Sequence, residues 1–569
     1  MLNNKIRKDD EQMKLKKVLA AVMTGVMMVS LAGCGAKRTN EVDANRTTLY
    51  VGNFAGGIGD EWLKSAISKF EEKYADTSFE DGKKGVQVLI GDNNKTTMIG
   101  TELEKIIATS QNEVFFTESV YYYDWVEKGL LYDITKAVTT PLSEFDEEKS
   151  ITDKMEAYVS EAMTVDGKVY ALPFWEGYYG FVYNATLFDE KGWYFAEDGS
   201  FTNADGKLGA GPDGQMDTYD DGMPATYADF FALLDKISKD NVTPVQWAGA
   251  SPDYFTWLMG ALFADYEGYD DLMVNYTFDG ETELVKLDSV DTENLTYEKE
   301  TVSITPENGY ELARQEGYVY ALDFAQDLLQ SNGYYDINSS LSGSYKQQDA
   351  QLAFVRNATT TNNKPVAILI DGSWWENEAT TAFRETYGNN ATKYDNEMEM
   401  KWMPLPKATD ALVGTENIMV SPLDSYCFIN ANIEEGKVKV AEKFLQFVHT
   451  DAMMAEFTEM TGVVKPYEYE TDTTKLTPFA ASVVEASANS KVVFPKSNNE
   501  LYRFGAINFR LANLLGSVYD SSQTHTTSIT LPLTSKAGTD YKYDMMDYYK
   551  GMLNYRRDVI WSTFNSVLK

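Results

Sequence analysis

Aromatic rings and carboxylates recur together at three places where strands are expected to end. Trp175 stands beside Glu176, Asp371 precedes Trp374 and Trp375, and Glu118 precedes Tyr121, Tyr122 and Tyr123. A sugar presents a face of C–H bonds and an edge of hydroxyls. Aromatic faces cover the first, and Asp, Glu, Asn and Arg bond the second, so unmatched hydroxyl patterns leave site groups unpaired. Trp247 and Trp257, near further helix and strand ends, join the candidate contacts, as does Tyr122. The three consecutive tyrosines cannot all point one way on any element, so part of that run belongs to a core.

The same residue types admit a hydrolase, which would need two carboxyl groups about 5–9 Å apart. Glu176 and Asp371 are available, but no motif fixes them as a pair, and no catalytic residue is assigned. Only two histidines, His449 and His525, and two cysteines, Cys34 and Cys427, are present. They leave little room for a zinc site, a histidine base or a disulfide framework. Cys427, between Tyr426 and Phe428, reads as an inert buried thiol. Gly56, Gly57 and Gly59 do not fit a dinucleotide fingerprint and read as a tight turn that lets backbone approach a ligand.

The elements that must position these residues can be read from periodicity. Thr47–Phe54 reads as a strand, Asp60–Tyr74 as an amphipathic helix with Leu63, Ala66, Ile67, Phe70 and Tyr74 on one face, and Val86–Ile90 as the next strand. Helix 101–108 and strand 113–116 continue the alternation, which predicts a parallel βαβ layer with ligand groups beyond the carboxyl ends of its strands. Asn53–Gly57 and Thr117–Tyr123 then share a rim. Lys168–Pro173 is a short strand interrupted by its proline, and Phe181–Tyr183 another. The stretch 166–184 is expected to cross between two lobes and to line the groove. Thr226 and Asp229 form a capping box ahead of a helix carrying Phe230, Leu233, Leu234 and Ile237. Residues 309–329 read as a helix, 365–371 as a strand buried on both faces, and 426–430 as a strand before a helix through 448. The C-terminal stretches 501–518 and 541–568 read as helical and aromatic.

Two segments stand apart. Residues 197–224 are rich in Asp and Gly, and Asp198, Asp205, Asp213, Asp217, Asp220 and Asp221 could surround a calcium ion. The spacing is not an EF-hand's, and a solvated surface loop is the alternative. Residues 265–301 are acidic with scattered Tyr and Phe and read as an insertion with small hairpins.

The chain has 569 residues, long enough for more than one core, and a formal charge of −37. That charge argues against nucleic acid or an anionic membrane surface as main partner and favours a neutral or cationic ligand. Aromatics make up 13 % of the residues, including 37 Tyr and 10 Trp, more than one core needs. At the N-terminus Lys14, Lys16 and Lys17 precede an apolar run, 18–32, that is too short to span a membrane comfortably. Leu31-Ala32-Gly33-Cys34 resembles a bacterial lipobox, with Cys34 lipidated and first in the mature chain. Residues 1–33 are then a signal peptide, 34–46 a polar tether, and Met13 an alternative start to Met1.

Taken in order, the lipobox, DGKVYALPFW…GFVYNATLF, ATYADFFALLDKISKD, the apolar strand followed by DGSWW, WMPLPK and YCFINANIEEGKVKVAEKFLQFVHT resemble the extracellular solute-binding proteins of carbohydrate-uptake ABC transporters, the maltodextrin-binding-protein-like family. The resemblance implies an α/β, two-lobed periplasmic-binding-protein-like fold of type II joined by crossing strands. It implies one lobe from 47–170 and 417–465 and another from 171–416 and 466–569. It also implies a monomer tethered by lipid to the outer face of the cytoplasmic membrane of a Gram-positive bacterium. That monomer would close on an oligosaccharide and deliver it to a membrane permease pair, with no cofactor required and no nucleic acid bound. Trp374 takes the family's stacking position, Trp175 and Glu176 face the groove, and Tyr502 and Arg503 fall near the C-terminal contact helix. A surface glycoside hydrolase and a peptide receptor on the same scaffold remain the alternatives.

Overall fold

The structure is a computed structural model that describes residues 42–91, 97–331, 333–356, 364–421, 424–498, 518–519, 525–526 and 545–567. Cys34, Tyr502, Arg503 and the expected leader lie outside the described residues. Residues 1–44 and 45–569 are separate compact units, and the architecture below belongs to the second.

That unit is mixed α/β and is built on two sheets. The first has five strands in the order Val86–Ile90, Thr47–Asn53, Val114–Thr117, Tyr426–Ile429, Ala171–Pro173. Its first three strands are parallel, with Thr47 opposite Val86 and Val51 opposite Val114, as the alternation predicts. Tyr426–Ile429 runs antiparallel to both of its neighbours. Helix Glu61–Lys73 buries Leu63, Ala66, Ile67 and Phe70, the face read from the spacing, together with Trp62. The second sheet runs Thr243–Gln246, Val366–Gly372, Tyr179–Asn184, Met400–Met403. Its central strand Val366–Gly372 is buried at every position, as its unbroken apolar run requires.

Each sheet with its helices forms one lobe. The chain passes between them at residues 174–178, again between strands Asn417–Val420 and Tyr426–Ile429, and again after helix Asp451–Thr461. The crossings are bonded to each other: Phe174 N–H donates to Ser425 O at 3.0 Å and Glu176 N–H to Val464 O at 2.9 Å. Ala171–Pro173 pairs within the first sheet.

The expected capping box is present. Thr226 Oγ1 accepts from Asp229 N–H at 3.2 Å, and Asp229 Oδ2 accepts from Thr226 N–H at 3.0 Å. Three readings change. Residues 265–277 are not part of a hairpin insertion but the second half of helix Asp253–Thr277, which breaks at Gly268 (φ 71°). The hairpin itself is confined to Gly280–Val285 and Lys299–Ile304. The helix expected over 309–329 begins as a 3-10 turn and becomes α-helical only at Gly317. Where the α-helix starts, Glu267 Oε1 accepts from Gly317 N–H at 2.6 Å. Of the helix expected over 501–518, residues 501–517 lie outside the described residues; Val518–Tyr519 pairs as a strand with His525–Thr526, and 545–567 is helical as expected, with a π-helical turn at Arg556–Trp561.

Candidate functional site

Five rings converge where the lobes meet. Trp175 comes from the first crossing, Tyr179 opens the strand Tyr179–Asn184, and Tyr254 and Trp257 lie one turn apart on helix Asp253–Thr277. Trp374 follows the strand Val366–Gly372. Tyr179 stacks on Trp257 at 5.5 Å with planes 9° apart, and meets Trp374 edge-on at 5.0 Å and Tyr254 at 5.3 Å. Trp175 meets Trp374 edge-on at 5.8 Å. Such a cluster offers flat apolar faces and ring edges to one ligand.

Two glycines explain how Trp374 sits. A Cβ at Gly372 would come within 2.4 Å of the Trp374 indole, so the ring folds back over its own strand end only because that position is bare. From the other lobe, a Cβ at Gly57 would lie 2.5 Å from Trp374 Cδ1. The turn at Gly56–Gly59 does bring backbone close, and what it approaches is this indole.

Polar groups ring the cluster. Gln347 Nε2 donates to Tyr254 Oη at 2.5 Å, to Glu378 Oε2 at 2.7 Å and to Asp371 Oδ1 at 3.3 Å. Gln351, one turn on, reaches Asp371 Oδ2 at 3.4 Å and Glu378 Oε2 at 3.3 Å. Asp371 is held well above the ordinary carboxylate range, first by burial and then by the charge of Glu378. Glu118 approaches from the first lobe, where a Cβ at Gly56 would sit 3.0 Å from its Oε1. At the end of the adjacent strand, Asn53 is fully buried and neither end of its amide has a partner. Buried amides are rarely left so.

The structure therefore brings together Trp175, Trp257, Asp371, Trp374 and, from across the lobes, Glu118. It does not bring in the other candidates. Tyr122 is core: its hydroxyl donates to Met163 O at 2.6 Å and its ring stacks on Tyr426. Trp247 is fully buried against Phe255 and Tyr335. Trp375 is likewise buried, among Phe354, Phe383 and Phe479. The adjacent tryptophans thus pack in different surroundings. Glu176 leaves the opposite face of the crossing from Trp175 and lines a different cavity, without Asp371. Its carboxyl accepts from Tyr178 Oη at 2.9 Å, and burial raises it to about 7. The sequence reading did not select Tyr179, Glu378, Gln347 or Gln351. A usable signal was the three-residue step from Tyr254 to Trp257, which puts both on one helix face.

The six loop aspartates do not converge. Asp198 bonds Ser200, Asp220 accepts from Asp213 N–H at 2.9 Å and Thr218 Oγ1 at 2.8 Å, and Asp221 accepts from Asp217 N–H at 2.8 Å. Among the described residues no group of three or more His, Cys, Asp or Glu is arranged to hold a metal.

Lys465, in the third crossing, sits between Phe174 and Phe457, 4.4 and 4.2 Å from their ring centres, and donates to Phe174 O at 2.7 Å. Burial pulls its amine down to about 7. Between there and the ordinary lysine range the unfolded chain holds a proton that the folded chain lacks. This lysine's contribution to stability accordingly rises with pH, by about 1.4 kcal/mol per unit. Below that window the charged amine is buried at full cost. Lys465→Met is expected to stabilise the protein at neutral pH and to flatten its stability relative to wild type across roughly pH 7–10. Denaturant midpoints measured at several pH values check this, and parallel curves for the two proteins would contradict it. In the same interior Cys427 is fully buried, and its thiol is pushed up to about 12 by burial.

Comparison with family models matches residues 75–477 to the bacterial extracellular solute-binding proteins. A comparison with curated protein sequences finds no match. Among solved structures, the chain is similar to the solute-binding protein RafE in complex with raffinose, at 15 % identity and TM-score 0.51 over 90 % of this chain and 100 % of that one. A chitin oligosaccharide binding protein aligns at 16 % identity and TM-score 0.50 over 91 % and 99 %. Maltose-bound MalE3 of T. maritima aligns at 14 % identity and TM-score 0.50 over 90 % and 100 %. At these identities the likeness establishes the two-lobed fold.

Proposed function

This chain belongs to the bacterial extracellular solute-binding proteins, and on that premise we propose that it captures a soluble oligosaccharide between its lobes for an ABC uptake system. In this reading lipid on Cys34 holds it at the outer face of the cytoplasmic membrane, and it hands its ligand to a permease pair as a monomer. One observation carries the reading: five rings from separate elements meet at the lobe junction beside Asp371, Glu378 and the Gln347 amide. Rings and hydrogen-bonding edges in that combination suit a carbohydrate's two kinds of surface. The ligands named for the similar structures, raffinose, maltose and chitin oligosaccharides, are the classes to try first.

Ligand shifts the lobes toward the closed arrangement, since the site is complete only when both lobes touch it. Trp374 against Gly57 is a contact between the lobes beside that site. Solution scattering is expected to give a smaller radius of gyration at saturating ligand. An unchanged radius would remove the closure claim.

Thermal-shift and calorimetric screening with oligosaccharides and peptides tests the function itself. The reading expects stabilisation by oligosaccharides and no release of reducing sugar from them. Stabilisation by peptides alone would replace the ligand class, and sugar release would favour the hydrolase alternative.

A further inference from the structure

The first crossing has a second face. Where Trp175 turns to Trp374, Glu176 turns into a separate cavity of about 580 Å³ that none of the five clustered rings but Tyr178, Tyr467 and Tyr469 line. The volume is that of a small-molecule site. One wall comes from the first lobe at Glu156 and Val159, and the facing wall from the second at Val484 and Ser487.

The groups in this cavity are unevenly committed. All three tyrosine hydroxyls are used: Tyr178 donates to Glu176, Tyr467 to Pro173 O at 2.7 Å, and Tyr469 bonds Thr458 at 2.6 Å. What remains of them is ring surface. Of the charged lining groups, Lys154 Nζ is spent on Glu147, Asp451 and His449 O, and Lys465 Nζ on Phe174 O. Glu156 is paired with Lys491 and Glu468 with Lys149. Among the described residues Glu176 has no cation. It is 8 % exposed, and one of its oxygens accepts a bond from Tyr178. In its ionised form Glu176 would repel an anionic ligand and be left uncompensated by a neutral one, whereas a cation favours that form. A cation satisfies the carboxylate and is also attracted to aromatic faces.

We propose that this rear cavity is a second ligand site, taking a small organic ammonium ion whose nitrogen bonds Glu176 and whose carbon groups lie against Tyr178, Tyr467 and Tyr469. The site is distinct from the sugar cluster and stands on different residues.

Isothermal titration of the full chain with putrescine, and separately with n-butylamine, at constant ionic strength tests it. Saturable one-to-one binding of at least one amine is expected. Glu176→Gln should weaken it about tenfold or more, as loss of a charge-assisted bond does, and Ser487→Trp, which fills the cavity from the facing wall, should abolish it. Trp374→Ala should leave amine binding intact. No saturable amine binding to wild type, or binding that both cavity variants leave unchanged, would overturn the proposal. Amine binding without any oligosaccharide binding would leave it standing while removing the sugar reading.

Discussion

Replacing Trp374 by alanine is expected to weaken oligosaccharide binding by about 1–3 kcal/mol, roughly five- to 150-fold in Kd. The ring is 5 % exposed and central: Trp175 and Tyr179 meet it edge-on, and Gly57 reaches it from the other lobe. Truncation removes both a surface for the sugar and the contact by which one lobe finds the other. Trp374→Phe keeps an aromatic face and should recover part of the loss. Trp375→Ala is the comparison. That ring is buried among Phe354, Phe383 and Phe479, so its loss should cost about 3–5 kcal/mol of stability and spare the affinity of whatever remains folded. Calorimetry on folded protein, with denaturant midpoints alongside, separates the two. Equal affinities for wild type and Trp374→Ala would assign Trp374 to packing.

An effect on stability as large as that of Trp375→Ala is expected at Lys407. Its ammonium is fully buried, 2.9 and 3.0 Å from the two oxygens of Asp265, and donates to Glu416 O at 3.2 Å; Asp265 also accepts from Ile418 N–H at 3.0 Å. The pair ties helix Asp253–Thr277, which carries Tyr254 and Trp257, to the segment leading into the second crossing. Lys407→Met should cost about 3–5 kcal/mol, because it strands Asp265 as an unpaired buried charge. Lys407→Met with Asp265→Leu should recover much of that, since two apolar groups leave nothing unpaired. Denaturant unfolding of the four proteins gives the coupling directly. A single variant within about 1 kcal/mol of wild type would mean that Asp265 finds another partner or takes up a proton at little cost.

That ion pair also marks where reading the sequence stops. The βαβ layer, the capping box and the buried strand ahead of DGSWW all follow from periodicity and local hydrogen bonding, and the structure has them. Asp265 does not yield to the same method. Its acidic neighbourhood reads as surface, yet its partner lies 142 positions away in the chain. Trp247 and Trp257 are ten residues apart and alike in type. One follows a strand into the core against Phe255 and Tyr335, and the other lies on a helix face beside Tyr179. Residue type marked both as candidates; only the packing of the strand Tyr179–Asn184 against that helix separates them. Glu176 failed for a simpler reason. On an extended crossing, neighbouring side chains leave opposite faces, so Trp175 and Glu176 could not serve one site. Glycine spacing was more informative than charge. Gly57 and Gly372 sit where an indole passes over backbone, and the sequence places one bare position on each lobe.

A diffraction structure of the chain with the tightest oligosaccharide from the screen tests the central claim most directly. The account predicts a sugar ring against Trp374 or Trp257, with hydroxyls on Asp371, Glu378 or Asn53 and both lobes in contact. A sugar seated on one lobe alone, or in the cavity behind Glu176 with the aromatic cluster empty, would contradict it.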